Sequence, residues 1–163
     1  MKTKTAHTFR SVILMDAGPL LALYGNKDEN RQAVRALFDL YFLDDPYALM
    51  IAPFPILYET LASQLTKFSR SIEAMRRDWE RLDLSMRIEK VSDVPYREDQ
   101  LQSCFAEIDR GSRYRSLSLV DRVLRAMMQD RELGISHLFT FNPGDFADVC
   151  EACGIEMITR HYL

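Results

Sequence analysis

Asp16, Glu59, Asp121 and the pair Asn142 and Asp145 are the side chains best suited to chemistry, because each falls where an apolar run ends or a helical pattern begins. Asp16 closes the run Ser11-Val-Ile-Leu-Met, and no cation follows it until Lys27, so a sequence-local ion pair is not open to it. It also reads as a turn or helix-capping aspartate ahead of Gly18-Pro19. Glu59 points away from the helical stripe of Leu57, Leu61 and Leu65, which equally suits a solvated glutamate. Asp121 lies in Ser118-Leu-Val-Asp121, which is also the pattern of a capping box. Asn142-Pro-Gly-Asp145 is turn chemistry whatever else it does. Position lifts the set above its members: all are expected along one edge of the molecule. Carboxylates converging without cations repel one another, and the usual remedy is a hard divalent ion, Mg2+ or Mn2+, held by oxygen ligands and shared with a phosphate.

A phosphate polymer also needs cations to land on. Between Arg110 and Arg125 the chain carries five arginines, Arg110, Arg113, Arg115, Arg122 and Arg125, against the single acid Asp121, with Tyr114 placed to stack on a base. The bland alternative is a solvated face with Arg125 paired to Asp121 four residues earlier. Lys67, Arg70, Arg76, Arg77 and Arg81 alternate with Glu73, Asp78 and Glu80, which reads as a solvated helix surface. Cys150-Glu-Ala-Cys153, with only three histidines in the chain, falls far short of a zinc site and suits helix packing. His137, before an apolar strand, reads as structural. No phosphate-binding glycine loop, nucleotide fingerprint or Ser-His-Asp order is present.

The elements that must hold these residues alternate in type. Val12 to Met15 is a continuous apolar run, expected as a central strand of a parallel sheet. A short helix over Leu20 to Tyr24 follows, then a longer one from about Asp28 with Ala33, Val34, Leu37, Phe38 and Tyr41 inward, stopped by Asp44-Asp45-Pro46. Ala48 to Ala52 is a second strand. Pro53 to Pro55 leads into a helix with Leu57, Leu61, Leu65 and Phe68 on one stripe, and its successor carries Ile72, Met75, Trp79 and Leu82. Met86 to Val91 is a weaker strand, and Glu98 to Arg110 a helix with Leu101, Phe105 and Ile108 inward. Leu117 to Arg131 is a helix with Val120, Val123, Leu124, Met127 and Met128 inward. His137 to Phe141 and Ile155 to Thr159 complete the strands around a short helix. Strands separated by helices imply a parallel sheet covered on both faces, whose chemistry sits at the carboxyl ends of its strands.

Composition narrows the function classes. The chain has 163 residues, 47% hydrophobic and 28% charged, and a net charge of -3, so no global basic field draws it to nucleic acid or to an anionic membrane. The expectation is one domain over residues 1–163, with 1–10 a flexible N-terminal segment. Three cysteines, Cys104, Cys150 and Cys153, make no secreted-type disulfide framework, and a cytoplasmic location is expected. Lys2, Lys4 and Arg10 ahead of the first apolar run imitate a signal peptide, but Asp16 breaks the run, which is also too short for a bilayer core of about 30 Å. No membrane association is expected.

Four blocks together resemble the PIN-domain nucleases, in particular their VapC-type toxin branch. They are Val12-Ile-Leu-Met-Asp16-Ala-Gly-Pro-Leu-Leu-Ala-Leu, Ile51-Ala-Pro-Phe-Pro-Ile-Leu-Tyr-Glu59, Leu117-Ser-Leu-Val-Asp121-Arg-Val-Leu-Arg-Ala and Leu138-Phe-Thr140-Phe-Asn142-Pro-Gly-Asp-Phe146. The resemblance runs from Val12 to Thr159 and implies a three-layer α/β/α domain around a mostly parallel sheet of about five strands. It implies a Mg2+-dependent (or Mn2+-dependent) endoribonuclease, commonly a homodimer, and in the toxin branch one silenced by an antitoxin protein. Position by position, Asp16, Glu59 and Asp121 match the family's metal-binding acids. In that reading Asp16 and Asp121 ligate the metal, Glu59 holds a water or acts as base, and Ser118 and Thr140 support the carboxylates or the substrate. Arg113, Arg115 and Arg122 would bind RNA. The fourth acid departs from the family pattern Thr-x-Asp-x-x-Phe: Asn142 stands in the Asp place and one residue is inserted before Phe146. Either Asp145 substitutes, or the site keeps three acids. The alternative is a catalytically impaired PIN-fold protein that binds RNA or a protein partner. An extended arginine rim argues against a phosphohydrolase of small substrates.

Overall fold

In the computed structural model, residues 10–25, 31–62, 64–109 and 117–159 are described. The chain alternates as expected: β1 (Ser11–Met15), α1 (Ala17–Tyr24), α2 (Arg31–Phe38, extended by a π-helical turn over Asp39–Leu43), β2 (Ala48–Pro53), α3 (Phe54–Ala62), α4 (Ser69–Leu84), β3 (Ile88–Val91), α5 (Val94–Asp109), α6 (Leu119–Gln129), β4 (His137–Phe139), α7 (Ala147–Cys153) and β5 (Glu156–Ile158). The five strands form one sheet in the order β3-β2-β1-β4-β5, and every pairing is parallel.

This order follows from how parallel strands must be joined. Helical crossovers carry the chain outward from β1 through β2 to β3, then across to β4 and β5 on the other side of β1. The first run leaves α1 packed with α2, α3 and α4, and the second leaves α6 packed with α5 and α7. The result is an α/β/α sandwich. Its sheet interior is dry: Ile13, Leu14 and Met15 of β1 and Leu138 and Phe139 of β4 have no exposed surface, and all six residues of β2 are buried. Strands covered on both faces read as continuous apolar runs, which is why β1 and β2 are visible in the sequence.

Several expectations need correcting. α3 ends at Ala62 and a 3-10 turn over Gln64–Lys67 follows, so the proposed stripe is not one face of one helix. Leu57 and Leu65 are buried, but Leu61 and Phe68 are exposed. α5 begins at Val94 rather than Glu98, with Pro95 in its first turn where a missing N–H is harmless, and Phe105 faces solvent. The expected start of the second helix at Asp28 and the N-terminal residues 1–9 lie outside the described residues. Among the described residues no helix is long and apolar enough to cross a membrane.

Candidate active site at the sheet switch point

The strand order reverses between β1 and β4, the point where parallel α/β sheets open a crevice beyond their strand ends. Met15 lies opposite Phe139 in the register, so the next residues, Asp16 and Thr140, emerge side by side at that crevice. The Asp16 N–H continues the ladder by donating to the Phe139 carbonyl at 3.0 Å. Its side chain caps α1: Oδ1 accepts from the Ala17 N–H at 2.7 Å, and Oδ2 accepts from the Thr140 hydroxyl at 2.7 Å. Thr140, fully buried, accepts in turn from the Asn142 N–H at 3.0 Å. The capping role and the site role of Asp16 are therefore compatible: one carboxylate oxygen starts the helix and the other is fixed by β4.

Asp121 enters from the first turn of α6. Its capping box with Ser118 is complete: the Ser118 oxygen accepts from the Asp121 N–H at 3.1 Å, and the Asp121 carboxylate accepts from the Ser118 hydroxyl at 2.6 Å and the Ser118 N–H at 3.3 Å. Glu59 is on α3 and faces solvent. Asn142 precedes a 3-10 turn over Pro143–Asp145, and its side-chain amide donates to the Asp145 carboxylate.

The acids repel one another electrostatically. Burial raises the pKa of Asp16 above the ordinary carboxylate value, the Thr140 and Ala17 hydrogen bonds pull it back, and the charges of Asp121 and Asp145 raise it further. Glu59 is raised in the same direction, first by partial desolvation at the helix surface, then by the charges of Asp16 and Asp121. Asp16 thus feels the negative charges of Asp121 and Asp145, and Glu59 those of Asp16 and Asp121. Among the described residues no three Asp, Glu, His or Cys side chains form a ready-made metal cage. Asp121 and Asp145 are instead turned onto Ser118 and Asn142. The donor set suits a hard divalent cation in kind, since every candidate atom is a carboxylate or amide oxygen, and in charge, since the acids repel.

The arginine rim is smaller than the sequence suggests. Arg122 is turned inward: it is 6% exposed, pairs with Glu107 of α5 and donates to the Leu117 carbonyl at 3.2 Å. It fastens α6 to α5 and does not offer a cation to solvent. Arg125 pairs with Asp148 of α7 through two bonds of 2.7 and 2.6 Å, not with Asp121, and also donates to the Asp145 carbonyl at 2.7 Å. That pair holds Asp148 down to about 2 and ties the turn bearing Asp145 to α6. Arg110, Arg113, Tyr114 and Arg115 lie outside the described residues. Cys150 is buried and Cys153 exposed, and His137 meets Ser136 at 2.8 Å and Glu156 at 3.5 Å beside β5.

Two aromatic rings beside the acids were missed at the sequence level. Phe54 and Tyr58 on α3 are exposed, their ring centroids 6.1 Å apart. The sequence carries no signal for them: both lie away from the buried Ile56, Leu57 and Thr60 of α3, a face defined only once the helix is packed.

No family model and no curated protein sequence matches the chain. A solved structure does: VapC20 of Mycobacterium tuberculosis, a toxin described as cleaving the sarcin-ricin loop, superposes with a TM-score of 0.56 at 18% identity, over 83% of this chain and 94% of that one. The protein has the fold of the VapC-type PIN-domain nucleases.

Proposed function

We propose that the protein is a metal-dependent endoribonuclease, the toxin of a toxin-antitoxin pair, with Asp16, Asp121 and Glu59 as its reacting carboxylates. The observation that carries this is Asp16, held by two hydrogen bonds at the switch point while the charges of Asp121 and Asp145 bear on it. The fold shared with a toxin described as cleaving the sarcin-ricin loop supports the choice of RNA as substrate. When bound, Mg2+ or Mn2+ supplies an activated water and neutralises charge at the phosphate. Asp16 and Asp121 would hold the ion, with Asp145 or the Asn142 amide oxygen as a further donor. The protein's own part is to fix Asp16 through Thr140 and Ala17. Glu59, its pKa raised by partial burial and by the charges of Asp16 and Asp121, would serve as the base that takes a proton from the attacking water. A homodimer and a cognate antitoxin belong to the same proposal. Expression of the chain should arrest bacterial growth, and co-expression of the antitoxin should relieve the arrest; unimpeded growth at high expression would refute the toxin role.

Asn142 favours a second reading, a PIN-fold protein that binds without cutting. Its amide gives Asp145 a donor where the family's acid would repel it. Asn142→Asp separates the two. In a working nuclease it adds a fourth carboxylate, weakening the apo fold slightly and changing cleavage by no more than about tenfold. In an impaired one it creates metal-dependent cleavage where the natural chain has none.

A further inference from the structure

A cleft of about 440 Å3 opens beside the acids, between the helices that carry two of them. Tyr58 and Glu59 of α3 form one wall, Leu119 and Val120 of α6 the other, and Asp93 and Arg97 at the start of α5 close the end. Its walls are mostly apolar, yet its end offers both a carboxylate and a guanidinium, loosely paired at 3.9 Å. Tyr58 is 68% exposed, so its ring is open to a stacking partner. Phe54, one turn earlier, sets the ring's attitude. Leu119, immediately after the Ser118 cap, is 37% exposed across the gap.

We infer that this cleft is a nucleobase subsite, in which an unpaired base of the RNA stacks on Tyr58 while its backbone reaches the acids through the Glu59 side of the cleft. The inference rests on the ribonuclease reading of the same site. Three features select a single base over a protein segment. The volume is that of a small-ligand pocket, not of a groove that seats a helix. A planar apolar body with a polar edge matches apolar walls ending in Asp93 and Arg97, where a carboxylate can accept from an exocyclic amine such as that of cytosine. Continuity with Glu59 places the occupant one residue from the reacting groups. Tyr58 would then set which nucleotide lies beside the cut, without itself taking part in the chemistry.

The test compares fluorescently labelled single-stranded RNA hexamers, intact or with one abasic ribose at each position in turn. Binding is measured by anisotropy in EDTA, and cleavage in Mg2+. Tyr58→Ala should raise the Kd of intact RNA about tenfold, and should leave unchanged the binding of the hexamer whose base is missing from the cleft. Tyr58→Phe should bind like the natural chain. Ala62→Trp, which fills the cleft from the exposed end of α3, should weaken binding with an unchanged circular dichroism spectrum. Equal losses on intact and abasic RNA would overturn stacking. Unchanged binding by Tyr58→Ala, with metal-dependent cleavage retained, would overturn the subsite and leave the nuclease standing. A dimer that dissociates on Tyr58→Ala would assign the cleft to a second copy of the chain and overturn it. No binding and no cleavage by the natural chain would overturn both readings.

Discussion

Asp16→Asn should lower metal-dependent RNA cleavage by roughly three orders of magnitude, because several kcal/mol of metal stabilisation are lost with a direct ligand and each 1.36 kcal/mol is tenfold in rate. It should do so without unfolding the chain. An asparagine still accepts from the Ala17 N–H and still caps α1. The carboxylate it replaces is held above its ordinary pKa by burial and by the charges of Asp121 and Asp145. A raised carboxylate binds its proton more tightly in the folded state, so in the apo protein it costs stability at neutral pH. The cost is relieved as pH falls through the raised folded pKa toward the ordinary value of 3.8. The apo variant should therefore melt at or above the natural chain at pH 7, and the two should converge near pH 4. Asp148 contributes with the opposite sign, stabilising above the ordinary value and losing that contribution only as pH falls toward about 2, so it does not blur this window. A melting temperature that drops sharply at pH 7 would make Asp16 a structural residue.

Thr140→Val should weaken metal binding about 10- to 100-fold while removing no ligand, the size expected for a partner that orients a first ligand. The substitution keeps the volume of a fully buried side chain but deletes the hydroxyl that donates to Asp16 at 2.7 Å and accepts from the Asn142 N–H at 3.0 Å. Leaving those groups without a partner costs about 1–3 kcal/mol. The direction with pH is diagnostic. The Thr140 hydrogen bond lowers the Asp16 pKa, so its loss raises that pKa further and the stability deficit grows from acid to neutral pH. Thr140→Ser should recover both properties. Equal deficits at pH 4 and pH 7 would show that Thr140 only fills space.

Much of this site is legible in the sequence, for reasons tied to particular residues. Ile13, Leu14 and Met15 announce a strand buried on both faces, and a charge placed directly after such a strand lands at the open end of the sheet. Ser118 and Asp121 define the start of α6 because the capping box is a local device needing nothing beyond four residues. What is not legible is non-local. The neighbours of β1 come from pairings made across tens of residues, and no local pattern ranks β4 as the strand beside Asp16. Arg122 looks like one more rim arginine until α5 brings Glu107 against it, and Arg125 prefers Asp148 on another helix to Asp121 on its own. Leu61 and Phe68 misled for different reasons: Phe68 lies beyond the end of α3 at Ala62, where helical spacing no longer applies, whereas Leu61 is still in α3 but off the face that buries Ile56, Leu57 and Thr60. Tyr58 and Phe54 were overlooked because an apolar residue near a buried stripe reads as core, and only the packed structure distinguishes a ring that faces outward.

The most direct measurement is cleavage of a mixed pool of structured and single-stranded RNA with Mg2+, Mn2+ or EDTA, by the natural chain and by Asp121→Asn, with metal binding followed in parallel by calorimetry. A metal-dependent nuclease built on these acids should give discrete cuts with either ion, none in EDTA and none from Asp121→Asn. Cuts that persist in EDTA or in Asp121→Asn, or a natural chain that neither binds metal nor cuts RNA, would contradict it.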